Sequence, residues 1–272
     1  MLRKLLKYDL KSMFKYWWII ALTSVAATAV GCVCNYLLYS KVNDFPPYVI
    51  MFLGFSVVAS LFIMAIFPLA SEIFIHFRFY KNFFTDEGYL TFTLPVKRSQ
   101  LLNSKLISAL ITLVATSFIV SIEFFAFFFS WAITLPTEDD LTTVPVEDPY
   151  VFEIFDLGFI LEAFALTILM SLISILFIFC CITFAAVITK KAKLITAIGI
   201  YYGTTTVLSG VLEIAYIFGG ISLIDHILTL QSNMIKPTIF IMLLCIILFL
   251  TIVCLVLYVL EYFMLDRKLN LS

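Results

Sequence analysis

The chain has 272 residues, 63% of them apolar and 13% charged, whereas an ordinary soluble domain holds about 45–50% apolar and about 25% charged residues. A water-soluble globule is excluded. The 17 Lys and Arg nearly balance the 18 Asp and Glu, leaving a formal charge of −1. No basic surplus points to nucleic acid, so the meaning of the charges lies in their placement. The 29 Phe and 13 Tyr suit a hydrocarbon interior and its headgroup boundary. The expected fold class is an all-α integral membrane protein.

Residues 1–15 place Leu2, Leu5, Leu6, Leu10, Met13 and Phe14 at helical spacing, with Arg3, Lys4, Lys7, Lys11 and Lys15 over the remaining face. The pattern predicts an amphipathic helix lying in the inner membrane interface, or else the plain basic flank of the first span. Trp17 and Trp18 anchor the turn into the membrane at headgroup level.

A spanning helix needs about 20 apolar residues. Six stretches qualify within residues 16–260: Tyr16 to Ser40, Tyr48 to Ile75, Leu106 to Ile133, Leu157 to Ile188, Leu194 to Phe218 and Ile235 to Leu260. Pro68 gives the second span a kink site. Ala29 to Cys32 resemble a lipoprotein cleavage box, but the first run exceeds the 7–15 residues of a signal core, so the span is expected to be retained. Fifteen of the 17 Lys and Arg fall before the first span, between the second and third, between the fourth and fifth, and after the sixth. Cytoplasmic segments retain such residues, so both termini are expected in the cytoplasm.

Between the second and third spans lies the longest cytoplasmic segment, residues 78–105. Phe79, Tyr80, Phe83, Phe84, Tyr89 and Phe92 are costly to leave bare, so it is expected to pack on something. Asp86, Glu87 and Gly88 form a turn signal, and Pro95 is placed to open a short helix through Leu101 and Leu102 into the third span. On the outer side, residues 135–156 carry seven acids and no basic residue, a solvated loop or a rim that attracts cations. Residues 219–234 include a mostly apolar stretch too short to span, a possible re-entrant segment. Residues 261–272 form a cytoplasmic tail.

Three carboxylates stand within spans: Glu123, Glu162 and Glu213. At 1.5 Å per residue, Glu162 and Glu213 lie about 8 Å and Glu123 about 15 Å below the outer boundary. An ionised group at that depth is costly, so these residues face protein or water. Either they line a shared outer cavity for cationic or amphipathic cargo, or each snorkels or bonds to a Ser or Tyr. Glu72 is the only acid noted in the inner half, too little for a proton relay. Gly199 and Gly203 form a G-x-x-x-G pair, and Ala27 with Gly31 a weaker one, that allow close helix approach in a dimer seam or within one subunit.

No catalytic set is legible. The six cysteines lie in apolar runs without a C-x-x-C, so no metal site is expected, and His76 and His226 stand far apart. No phosphate-cradling G-x-x-x-x-G-K followed by Ser or Thr occurs. The chain is therefore expected to bind no cofactor and to draw its energy from a partner or a gradient.

The stretch FFTDEGYLTFTLPVKRSQLLNSKL, Phe83 to Leu106, resembles the first cytoplasmic loop of bacterial ABC-transporter permeases of the type-two export class. Tyr262, Lys268, Leu269 and Asn270 are similar to the usual ending of such permeases in Gram-positive bacteria. The resemblance implies a six-span half-transporter in the bacterial plasma membrane. It implies dimerisation with itself or a related permease, and two separate cytoplasmic ABC ATPase subunits that hold ATP and Mg. It places ATPase docking on the interfacial helix and on Phe83, Phe84, Asp86, Glu87, Gly88 and Tyr89. Two other classes stay open at this stage, a secondary transporter and a protein that sequesters a membrane-active peptide.

Overall fold

The computed structural model describes residues 2–40, 45–85, 87–88, 91, 93, 95–133, 157–189, 192–215, 217 and 232–267. Among these there is no strand. Six long helices follow one another: α1 (Leu2–Ser40), α2 (Pro47–Phe84), α3 (Arg98–Ala132), α4 (Leu157–Ile188), α5 (Lys193–Ala215) and α6 (Ser232–Arg267). Each is long and apolar enough to cross a membrane, which is the architecture of a multi-pass membrane protein. The acidic segment 135–156 and residues 219–231 of the possible re-entrant segment lie outside the described residues. So do 268–272 of the tail.

Helix boundaries differ from the sequence expectation at three places, each by extension. Residues 2–15 are helical as expected, but no turn separates them from the span, and α1 runs 39 residues without a break. At 1.5 Å per residue that is about 58 Å, against about 30 Å of hydrocarbon. Likewise α2 continues to Phe84, and α3 begins at Arg98, so more than half of the expected inner loop is helix. Residues 232–234 belong to α6 rather than to a separate outer segment. In the first two cases the backbone has no Gly or Pro to stop it, and in α6 the helix runs on through Pro237; an unbroken helix satisfies its own polar groups at the membrane boundary.

The chain divides into two compact units. The first comprises residues 1–78 and 107–147, the second residues 79–106 and 148–272. In the first unit, α1 and α3 touch along a constant offset of 99: Thr112 on Met13 Sδ, Trp17 Nε1 donating to Thr116 Oγ1 at 2.9 Å, and Ser24 Oγ donating to Glu123 at 3.1 Å. A constant difference means parallel helices in fixed register. Farther along, Asn35 Nδ2 donates to Ser130 Oγ at 3.0 Å. Trp17 is the centre of an apolar cluster with Ala21 and Phe67, flanked by Phe14, Ile119 and Val120. Against α2 the pairs run the other way: Gly31 meets Ser60, Trp17 meets Phe67 and Tyr16 meets Phe74. These two helices are antiparallel.

In the second unit, α4 and α6 are parallel: Cys180 contacts the Leu257 carbonyl, and Thr183 reaches Glu261. The first turns of α3 run antiparallel to the end of α6, pairing Arg98 with Leu265 and Asn103 with Tyr258. These directions are those of successive crossings of a bilayer. The largest fully buried apolar side chains of this unit, Phe79, Phe83, Leu102, Ile175, Leu176, Phe179 and Leu265, concentrate toward the end of α2, the start of α3 and the ends of α4 and α6.

Candidate functional site

The segment joining α2 to α3 is built from an aromatic foot. Phe79 stacks face to face on Phe179 of α4, with centroids 3.6 Å apart and planes at 7°. Phe83 and Phe84 close on Phe79 at 4.9 and 6.0 Å, and Tyr80 lies against Phe84. The aromatics are thus packed, as their cost in water demands. Phe83 and Phe84, assigned to ATPase docking by resemblance, are 1% and 7% exposed and pack within the unit.

After the foot the chain makes a tight turn. The Gly88 N–H donates to the Thr85 carbonyl at 2.8 Å. A Cβ at Gly88 would stand 2.5 Å from the Phe83 carbonyl oxygen, so only glycine permits this approach of backbone to backbone. Lys81 Nζ and Glu87 Oε1 pair across the turn at 2.9 Å, both half-exposed. Asp86 and Tyr89 lie outside the described residues. The surface offered here is Lys81, Thr85 and Glu87.

The return into α3 is also clamped. Arg98 Nη1 donates to the Leu265 carbonyl at 2.8 Å and to the Asp266 carbonyl, and it pairs with the Asp266 carboxylate at 3.5 Å. Tyr258 Oη donates to Asn103 Oδ1 at 2.8 Å. The segment therefore grips α4 at its entrance and α6 at its exit. Among its described residues no nucleophile and base lie within reach of one another.

The three intramembrane acids have three different environments. Glu123, in the first unit, is 3% exposed and accepts from Ser24; its Oε1 has no hydrogen-bond partner among the described residues. Glu162, in the second unit, is 7% exposed, and neither of its oxygens has such a partner. Glu213 is exposed on α5. Of the two expectations, bonding to a Ser describes Glu123. Glu72 lies 3.8 Å from His76 one turn on.

Sequence reasoning missed a further acid. Glu261 is fully buried, and Thr183 Oγ1 donates to its Oε1 at 2.7 Å. It stands one residue beyond the last apolar run, inside the expected tail. The signal was present in Tyr258, Glu261 and Leu265, which continue the helical spacing past that run. The G-x-x-x-G pair also behaves differently from its weaker counterpart. A Cβ at Gly199 or Gly203 would meet nothing within 4 Å. Gly203 lines an apolar groove with Phe177, Ile200, Thr204, Val207 and Val211. By contrast Gly31 is in tight contact, and a Cβ there would come within 2.5 Å of Ser60 Cβ.

Among the described residues no three His, Cys, Asp or Glu converge as a metal site would require. No protein-family model matches the chain, and neither a curated protein nor a solved structure matches it significantly.

Proposed function

We propose that the chain is the membrane permease subunit of an ATP-driven ABC exporter in a bacterial plasma membrane. In this reading both termini are cytoplasmic, and the chain works as a dimer with itself or a related permease. The reading starts from the resemblance of Phe83 to Leu106 to the first cytoplasmic loop of type-two export permeases. The single observation that supports it best is the clamping of the inter-helix segment, residues 78–105, to α4 through Phe79 and Phe179, and to α6 through Arg98 and Asp266. A freely hanging loop could not pass force to the spans; this one is anchored at both ends.

In this reading two cytoplasmic ATPase subunits bind ATP and Mg and dock on the exposed turn at Lys81, Thr85 and Glu87, with residues 1–15 as a second contact. Closure of the ATPase pair pushes on the turn, and α4 and α6 shift cargo outward. The acidic outer segment 135–156 and the Phe-rich spans favour a cationic or amphiphilic cargo, peptide-like or drug-like.

The test is purification of the tagged chain from its native membrane in mild detergent, with masses of co-purifying proteins and ATPase activity of the eluate. An ATPase of about 25–35 kDa carrying a P-loop is expected to co-purify and to be lost with Asp86→Ala plus Glu87→Ala. A chain that purifies alone and without activity overturns the assignment.

A further inference from the structure

Because α1 is one unbroken helix, its basic residues and its membrane-facing residues can be placed on a common wheel. Arg3, Lys4, Lys7, Lys11 and Lys15 are all exposed and, at 100° per residue, occupy an arc of about 120°. None of the five has an ion-pair partner among the described residues. Higher on the same helix, Trp18, Leu22, Val25, Val33 and Tyr36 are 47% to 61% exposed and fall on that same arc. Met13, Trp17, Ser24, Thr28 and Asn35, which are buried, fall on a different side. The face of α1 that carries the cations is therefore the downward continuation of the face open to hydrocarbon, with the exposed ring of Trp18 at the joint. Where it leaves the hydrocarbon, such a face meets the headgroup layer first, and anionic headgroups are complementary to its charge.

We propose that this arc is a docking strip for anionic phospholipid headgroups, strongest at Lys15 and Lys11 and fading toward Arg3. The gradient follows from the helix continuing out of the membrane rather than lying along it. The headgroup layer is about 5–7 Å thick on each side of the hydrocarbon. Lys15 is one turn from Trp18, whereas Arg3 lies about 18 Å beyond Lys15 along the axis, more than two Debye lengths of about 8 Å at physiological salt. Lysine stems can reach back along the helix toward the layer from Lys15 and Lys11, but not from Arg3 or Lys4.

The experiment uses the full chain in phosphatidylcholine nanodiscs containing brominated phosphatidylglycerol. Quenching of Trp18, taken as the difference between the native chain and Trp18→Phe, is titrated against the anionic fraction. The native chain is expected to prefer phosphatidylglycerol over phosphatidylcholine. Lys15→Gln should lower that preference about fivefold, as for one cation at an anionic surface, and Lys11→Gln should lower it less. Arg3→Gln and Lys4→Gln should leave it unchanged, and Lys15→Arg should retain it. Absence of any preference in the native chain overturns the strip, and equal losses at all four substituted cations overturn the upright gradient in favour of a helix lying flat. All substitutions are at exposed positions, so folding is not at stake.

Discussion

At the residue scale, the buried Glu261 decides how the end of α6 is held. Its Oε1 accepts from Thr183 at 2.7 Å, while Oε2 has no partner among the described residues. Removing one member of such a pair strands the other, which costs about 1–3 kcal/mol, whereas replacing both by apolar groups of similar shape is nearly neutral. Thr183→Val is thus expected to lower stability by about that amount in a detergent unfolding titration. Thr183→Val combined with Glu261→Leu should recover most of the loss, and a double variant worse than the single one would show that Glu261 has another task. Ala192 is the second residue with a clear sign. It holds φ at 57° at the start of α5, a left-handed conformation that costs an L side chain about 1–2 kcal/mol. Ala192→Gly should therefore stabilise the chain by about 1 kcal/mol, read as a rise in the unfolding midpoint.

At the element scale, α1 and α3 are held by a row of polar contacts, Trp17 with Thr116, Ser24 with Glu123 and Asn35 with Ser130. Hydrogen bonds between membrane helices average about 0.6 kcal/mol, so this row sets register more than it supplies stability. Close packing weighs more. Gly31 lets α1 approach α2 at Ser60, and added volume at a packed site costs about 1–3 kcal/mol. Ser24→Ala is expected to change stability by less than about 1 kcal/mol, and Gly31→Val by clearly more, in parallel unfolding titrations. The reverse order would mean that Glu123, once stranded, outweighs the helix contact. The apolar runs of these elements were legible in the sequence, since 20-residue stretches leave little choice in hydrocarbon. The polar row was not. Trp17, Ser24 and Asn35 each read as an ordinary membrane residue until α3 supplies the partner 95 to 99 positions away.

At the scale of the whole molecule, the proposed transmission path begins at the half-exposed Lys81–Glu87 pair and enters the spans through buried aromatics. Exposed ion pairs stabilise little, about 0–1 kcal/mol, so the pair's main value lies in what its charges meet outside. Exchanging the two charges, Lys81→Glu with Glu87→Lys, preserves the internal pair and should leave the chain folded. It is expected to abolish ATPase co-purification, because a docked partner would face the wrong sign. Normal recovery of the ATPase after the exchange would reduce the pair to a local brace of the turn.

Composition and the six apolar runs by themselves determined that the chain is an all-helical membrane protein with six spans, because hydrocarbon accepts long apolar helices whose backbone is internally bonded. They also singled out the stretch from Phe83 to Leu106 and its aromatics as a segment that must pack. What only the tertiary structure decided is where each helix stops, that Phe83 and Phe84 face inward, that Gly31 rather than Gly199 and Gly203 serves close approach within the chain, and that Glu261 is buried. Each of these depends on which other helix stands opposite, and no local pattern of residues carries the identity of a neighbour from 29 to 100 positions away.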